Sequence, residues 1–536
     1  MSSLMKGTAI LTIGLFLSKL LGLIYIFPFY AIVGEENIGL YQYAYIPYSI
    51  MLSIALSGLP LAVSKFVSKY NAIGDYEAGR KLVRTGTLVM IATGLLSFIA
   101  LNLLAEPIAH TVIKDDEQMY SVEQIASVIH WVSYALLVVP FMSLIRGFFQ
   151  GYGHYMPTSV SQLVEQIARI VVLLGGSFVV VVLLDGLPET AIKFSVFAAF
   201  IGALGGLVVL YYYWKKLKPE FNELRMQSTT TQNLSYSAIY KEIITYSIPI
   251  VFVGVANPLF QLVDMLTFNG AMSSIGLASV TDTYFSMLNF LTHKVVIIPV
   301  MLATGFSMAL IPTITKYYTL GEFNALRGAM DKTYQVLLFI TIPAVVGIMI
   351  LAPDIYHVLY SESEMGATVL AHYAPVAILF AMFSITASLL QGINYQKWIV
   401  FSLLTGLLVK LVLNIPLIKL MEVDGAILAT ALGYIVTCTI NIVVIHKTLN
   451  YNAKVAMRRI ILICILSIFM AIAVLLVYFL LTKIAPAESK VLALVYVIIC
   501  SGVGASVYGY LSLRLGLAQK LLGARITKIA KKLGFE

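Results

Sequence analysis

Apolar runs of roughly 20 residues or more, the length that crosses a bilayer as a helix, recur fourteen times along the 536-residue chain. Their approximate limits are 5–33, 38–68, 81–104, 125–149, 156–184, 191–214, 240–268, 281–314, 333–353, 367–391, 397–418, 423–446, 458–482 and 490–513. A helix satisfies every backbone polar group internally, as hydrocarbon requires. The pattern therefore predicts an all-α polytopic membrane protein with about 14 transmembrane helices. The longest polar stretch, 215–239 (KKLKPEFNELRMQSTTTQNLSYSAI), leaves six spans before it and eight after. Its Ser, Thr, Gln and Asn content reads as a mobile cytoplasmic linker, too short to fold as a domain.

The two sides of that stretch repeat. Shifting residues 57–80 by 247 lays SGLPLAVSKFVSKYNAIGDYEAGR over TGFSMALIPTITKYYTLGEFNALR without a gap. Gly58/Gly305, Ala62/Ala309, Lys69/Lys316, Tyr70/Tyr317, Gly74/Gly321, Ala78/Ala325 and Arg80/Arg327 coincide, and Asp75/Glu322 keeps its charge. A shift of 241 pairs Gln150-Gly151 with Gln391-Gly392 and Arg169 with Lys410. An even number of spans per copy predicts parallel six-helix lobes, 1–214 and 240–449. Residues 450–516 add two further helices, and 517–536 form a basic tail. In that tail Leu521, Leu522, Ile526, Ile529 and Leu533 share a face, so it reads either as an interfacial amphipathic helix or as a solvated basic end.

Composition agrees: 60% of residues are hydrophobic and 11% charged. The first span is too long for a signal-peptide core and carries Lys19 in its middle, so it is expected to remain as a membrane helix. With the N-terminus inside, 24 of the 35 Lys and Arg fall in inner loops and tails. Five (Lys114, Lys193, Lys419, Lys483, Lys490) fall in outer loops and six within spans. That asymmetry predicts two cytoplasmic termini. The +9 net charge then reflects topology and gives no reason to expect nucleic-acid binding. Cys438, Cys464 and Cys500 all lie in late spans, where apolar packing is the expectation.

A charge near the bilayer midplane costs about 2.5–3.5 kcal/mol on insertion scales. Four cations nevertheless lie deep in spans: Lys19, Arg169, Lys294 and Lys410. Lys19 adjoins the small-residue stripe Gly14, Ser18, Gly22, roughly 21 Å along its helix. A polar cavity for an anion and a structural pairing are the two readings, with the cavity favoured. Gln162, Glu165, Gln166 and Arg169 fall at i, i+3, i+4 and i+7 on one inward face, where Glu165 and Arg169 can pair. Lys410, with Asn414 one turn on, is the second-half equivalent. His293 precedes Lys294, and Asp264 could pair with Lys294 or bind a coupling cation. Arg146 and Lys65 sit near span ends, where snorkelling explains them. Embedded carboxylates then number two, Glu165 and Asp264, against six cations.

No phosphate-loop, H-E-x-x-H or paired C-x-x-C motif occurs, so neither ATP hydrolysis nor a metal site is expected. These absences favour transport over enzymology, with a drug/cation antiporter and a membrane-embedded glycan polymerase as rival classes. An antiporter site should be acidic, and a polymerase needs a large catalytic outer loop. The longest outer loop is about residues 105–124.

Four segments carry a family resemblance: KGTAILTIGLFLSKLLG, LPLAVSKFVSKYNAIGDYEAGRK, RGFFQGYGHYMPTSVSQLVEQIARI and LVLNIPLIKLMEVDGAILATALGY. They resemble the polysaccharide-transporter branch of the multidrug/oligosaccharidyl-lipid/polysaccharide exporter superfamily. Within it the chain is similar to the YtgP/SpoVB group of Gram-positive bacteria and to MurJ-type lipid II flippases. The resemblance implies two lobes around a cationic cavity that opens alternately to either side of the cytoplasmic membrane. It also implies a lipid-tail groove at the last two helices, and lipid II as cargo for cell-wall synthesis, with export of another polyprenyl-linked polysaccharide precursor as the alternative. Lys19 falls in the family's S-R-x-L-G motif, here Ser18-Lys19-Leu20-Leu21-Gly22, and Lys294 at its span-8 cation. The chain departs from the pattern with Tyr25 where a second arginine is common, and with Met51 and Leu52 in place of a span-2 cation. These features make Lys19 and Lys294 the expected diphosphate ligands, with Arg169 and Lys410 setting the potential. No cofactor is implied; drive by membrane potential or a monovalent ion is expected, and a monomer is the default.

Overall fold

A computed structural model describes residues 14, 17–56, 59–228, 236–451, 454–484 and 489–522. Among these residues no strand occurs, and twelve helices are long and apolar enough to cross a membrane. The chain divides into two compact units, Met1–Ser286 and Met287–Glu536.

The first unit contains α1 Leu17–Val33, α2 Glu35–Leu56, α3 Leu59–Ala72, α4 Tyr76–Val112, α5 Val122–Gly151, α6 Tyr155–Leu183, α7 Pro188–Met226, α8 Tyr236–Ser273 and α9 Thr281–Ser286. The second opens on a π-helical turn, Met287–Thr292, and continues with α10 His293–Thr319, α11 Phe323–Ile350, α12 Ala352–Leu359, α13 Glu364–Tyr373 and α14 Val376–Gly392. It ends with α15 Gln396–Met421, α16 Val423–Leu449, α17 Lys454–Ile484, α18 Lys490–Arg514 and α19 Leu517–Leu522.

Each predicted span has a helical counterpart among the described residues, but several are divided, α5 by a 3-10 turn at Tyr134–Leu137. Span 38–68 is the pair α2 and α3, and 367–391 is α13 and α14. Span 281–314 is α9, the π-turn and α10. The seventh span, α8, packs on α2, α3 and α4, so the first unit extends past the polar stretch to Ser286.

The repeat reappears as identical turns. Gly74 and Gly321 both take positive φ, 77° and 71°, a region open to glycine at little cost. In each turn the next residue's N–H closes on a tyrosine carbonyl, Asp75 on Tyr70 and Glu322 on Tyr317. Gly153 and Asn394, 241 residues apart in the second register, share φ of 78° and 62°. Only the first copy completes the cap: Asp75 accepts from the Ala78 amide at 3.0 Å, while Glu322 makes no such bond.

Two expectations need correction. The stretch from Lys215 is not a mobile linker at its start, because α7 runs on to Met226. Phe221 is buried there among Phe148, Phe149, Tyr152 and Trp214. Arg225 pairs with Glu77 at 2.5 Å, and Arg80 donates to Asn222 at 3.3 Å. A buried aromatic and two polar clamps hold a helix that its own composition would leave exposed. At the other end, Leu517, Ala518 and Leu521 are buried, on a short helix that packs on α11 and α18, so the tail begins as packed core. Ile526, Ile529 and Leu533 lie outside the described residues.

Candidate functional site

The polar face of α6 is built as the spacing predicted, but its partners differ. Glu165 does not pair with Arg169. Its Oε2 accepts from Arg146 Nη2 on α5 at 2.7 Å. Arg146 also donates to Ser161 Oγ from Nε at 3.2 Å and from Nη2 at 2.7 Å. Ser161 in turn donates to the Gly206 carbonyl at 3.0 Å. Arg146 is therefore buried and neutralised, and does not snorkel; α5 and α6 cross where the side chain faces protein, which its place in the sequence does not reveal. Lys65 is exposed, with its Nζ 5.9 Å from the Phe66 ring centre, as snorkelling predicts.

With Glu165 committed, Arg169 has no carboxylate partner among the described residues. It points among tyrosines: Nη2 reaches the Tyr41 hydroxyl at 3.5 Å, and Cζ lies 6.0 Å from the Tyr45 ring. Tyr25 and Tyr48 stand within electrostatic reach. The Arg169 Nε and the Gln162 Oε1 are buried without a hydrogen-bond partner. Tyr41, Tyr45 and Tyr48 fall at i, i+4 and i+7 of α2, one face of a helix. Sequence reading overlooked that stripe, although its spacing was visible.

Lys19 lies on the helix that packs closely on α6. A Cβ at Gly14 would stand 2.8 Å from Ser159 Cβ, and one at Gly22 would stand 3.2 Å from Gln166 Nε2. The small-residue stripe thus brings the two backbones together, and Gln166 lines the contact. Lys19 itself is exposed and makes no hydrogen bond or ion pair among the described residues.

The second unit holds its own cationic group. His293 Nδ1 lies 3.0 Å from the Tyr373 hydroxyl, and both Lys294 and Lys410 act on it electrostatically. Lys294 Nζ stands 5.2 Å from the Phe290 ring centre. Lys410 is 1% exposed and donates to Thr430 Oγ1 at 2.8 Å, beside buried Asn414. The equivalent cations thus differ: Arg169 is partly open among tyrosines, whereas Lys410 is enclosed and tied to a hydroxyl.

Asp264 is buried, as expected of an inward carboxylate. The count of two embedded carboxylates was low, because Asp282 is 1% exposed as well. Its Oδ1 accepts from Tyr43 at 2.7 Å and from Asn269 Nδ2 at 3.4 Å, and its Oδ2 accepts from the Met119 amide at 2.9 Å. It ties α2, α8 and the 113–121 loop to α9. Its position at a span edge gave no hint of this.

Helices α11, α17 and α18 enclose an apolar cavity of about 540 Å³ lined by Phe339, Pro343, Gly347, Met470, Gly504 and Tyr508. Buried Asp354 sits between its lining residues Leu351 and Ile355, and burial raises its carboxyl above the usual range.

These features define an all-helical, multi-pass membrane protein with cations set inside its spans and, among the described residues, no cluster able to hold a metal. The sequence model for the polysaccharide biosynthesis protein family matches residues 4–318, and the chain belongs to that family. It is 45% identical to the lipid II flippase MurJ of Bacillus subtilis (strain 168), covering 99% of both chains. The uncharacterised membrane protein YabM of the same organism is 27% identical over 96% of this chain and 92% of its own. A solved structure of lipid II flippase MurJ in an inward closed conformation superposes with a TM-score of 0.61 at 15% identity, covering 94% of this chain and 99% of that one. An inward-facing multidrug resistance MATE transporter of the MOP superfamily gives 0.59 at 13%, over 79% and 94%. At such identity these structures speak for the fold alone. The resemblance read from the motifs is borne out.

Proposed function

We propose that the protein is a lipid II flippase that moves this peptidoglycan precursor from the inner to the outer leaflet of a bacterial cytoplasmic membrane by alternating access. The observation that carries the reading is the 45% identity to a lipid II flippase over 99% of both chains. The physical chemistry supports it. A diphosphate leaves water only if cations replace its hydration, while a polyprenyl tail can stay in hydrocarbon. Lys19 and Lys294 would each act as a phosphate ligand of the head group. Lysine is a point charge that grips less rigidly than a bidentate arginine, which suits a ligand that must be released. The apolar cavity between α11, α17 and α18 would take part of the tail. No step in this scheme calls for a cofactor, and the inside-negative potential favours outward movement of an anionic head. Both termini would be cytoplasmic, in a Gram-positive cell, with the chain acting as a monomer. Depletion in the native host is expected to stop wall synthesis and to accumulate lipid II on the inner leaflet, read by a leaflet-selective probe. Accumulation of a different polyprenyl-linked glycan, with lipid II exported normally, would assign the other cargo.

A further inference from the structure

The surroundings of Arg169 suggest more than a source of potential. We infer that Arg169 with Tyr25, Tyr41, Tyr45 and Tyr48 forms a recognition subsite for a sugar carried on a lipid diphosphate, the guanidinium meeting a phosphate oxygen and the tyrosines meeting the sugar. This rests on the flippase reading and adds the feature of the cargo that is recognised. The same helix pair supplies a comparison. Arg146, the structural arginine, has its carboxylate and its serine; Arg169 has neither, and its Nε is buried without a partner. Arg169 lies fourteen residues into α6, roughly 21 Å along its axis, where a cation held by rings and one long contact to a hydroxyl remains costly. Its unused donors match a tetrahedral oxyanion.

The tyrosines supply the rest of the chemistry. Tyr41 and Tyr45 stack with centres 5.8 Å apart, and Tyr45 and Tyr48 follow at 5.9 Å. Tyr25 joins from α1, its hydroxyl 3.5 Å from that of Tyr41. Burial is graded: Tyr41 and Tyr48 are 1% and 3% exposed, whereas Tyr45 and Arg169 are half-buried. The buried tyrosines flank one half-buried ring and a half-buried cation, which are the two groups a ligand can reach. A ring face suits the C–H face of a sugar and a phenol its hydroxyls, since tyrosine joins an apolar body to a polar tip.

The test compares transport, in proteoliposomes, of a polyprenyl diphosphate bearing its sugar head with the same lipid diphosphate lacking the sugar. Tyr45→Leu is expected to lower the sugar-bearing to sugar-free ratio about three- to tenfold, and Tyr45→Phe to lower it less. Arg169→Lys, which keeps charge but loses the fork, is expected to slow both substrates about tenfold. Melting temperatures near wild type establish that each variant is folded. If both Tyr45→Leu and Arg169→Lys transport both lipids as wild type does, or if Tyr45→Leu slows them equally, the subsite is overturned and the flippase reading stands. If wild type moves neither lipid, the flippase reading fails and takes this inference with it.

Discussion

Alanine at Lys294 is expected to slow lipid II flipping about tenfold to a hundredfold, the cost of one charge-assisted contact to a phosphate. Alanine at Lys19 should act on the same scale. Both lysines lie in spans, and Lys19 makes no ion pair among the described residues. Lys19 is exposed on its helix, so its loss should leave the melting temperature unchanged. Lys410 provides the contrast. It is enclosed and bonded to Thr430, so Lys410→Ala should lower stability together with activity. The measurement is flipping rate beside thermal melting for the three variants. Normal flipping by both Lys19→Ala and Lys294→Ala would remove these residues from the substrate path.

Glu165→Gln is expected to destabilise the first unit by about 3 kcal/mol, the lower end for breaking a buried ion pair. The lower end applies because the Glu165 side chain retains 23% exposure. Arg146 would be left with Ser161 but without its carboxylate. A double-mutant cycle by thermal or denaturant unfolding in detergent locates the partner. Glu165→Gln with Arg146→Gln should show coupling above about 1 kcal/mol, whereas Glu165→Gln with Arg169→Gln should show close to none. The reverse pattern would restore the i, i+4 pair and give Arg169 a counter-ion.

That pair shows where sequence reading stops. Spacing along one helix places Glu165 and Arg169 on one face, and the structure agrees about the face. The choice of partner depends on how α5 crosses α6, and no local pattern records that crossing. The spans themselves were legible because hydrocarbon thickness dictates their length. The repeat was legible because its turns need particular backbone angles, kept at Gly74 and Gly321. The polar segment after Lys215 misled because composition outweighed one buried ring, Phe221. The tyrosines of α2 stood at helical spacing in plain view, and acquired meaning only when Arg169 was found facing them. Asp282 lies at the edge of its span, and only its partners from α2, α8 and the 113–121 loop mark it as a buried tie.

The central claim is that this chain carries lipid II across a bilayer. Purified protein in liposomes, with labelled lipid II initially confined to the inner leaflet, tests it most directly. The account predicts that label reaches an outer-leaflet probe faster than in protein-free liposomes, and faster still under an inside-negative potential. Lipid II crossing no faster than in empty liposomes, while another polyprenyl diphosphate glycan crosses readily, would contradict it.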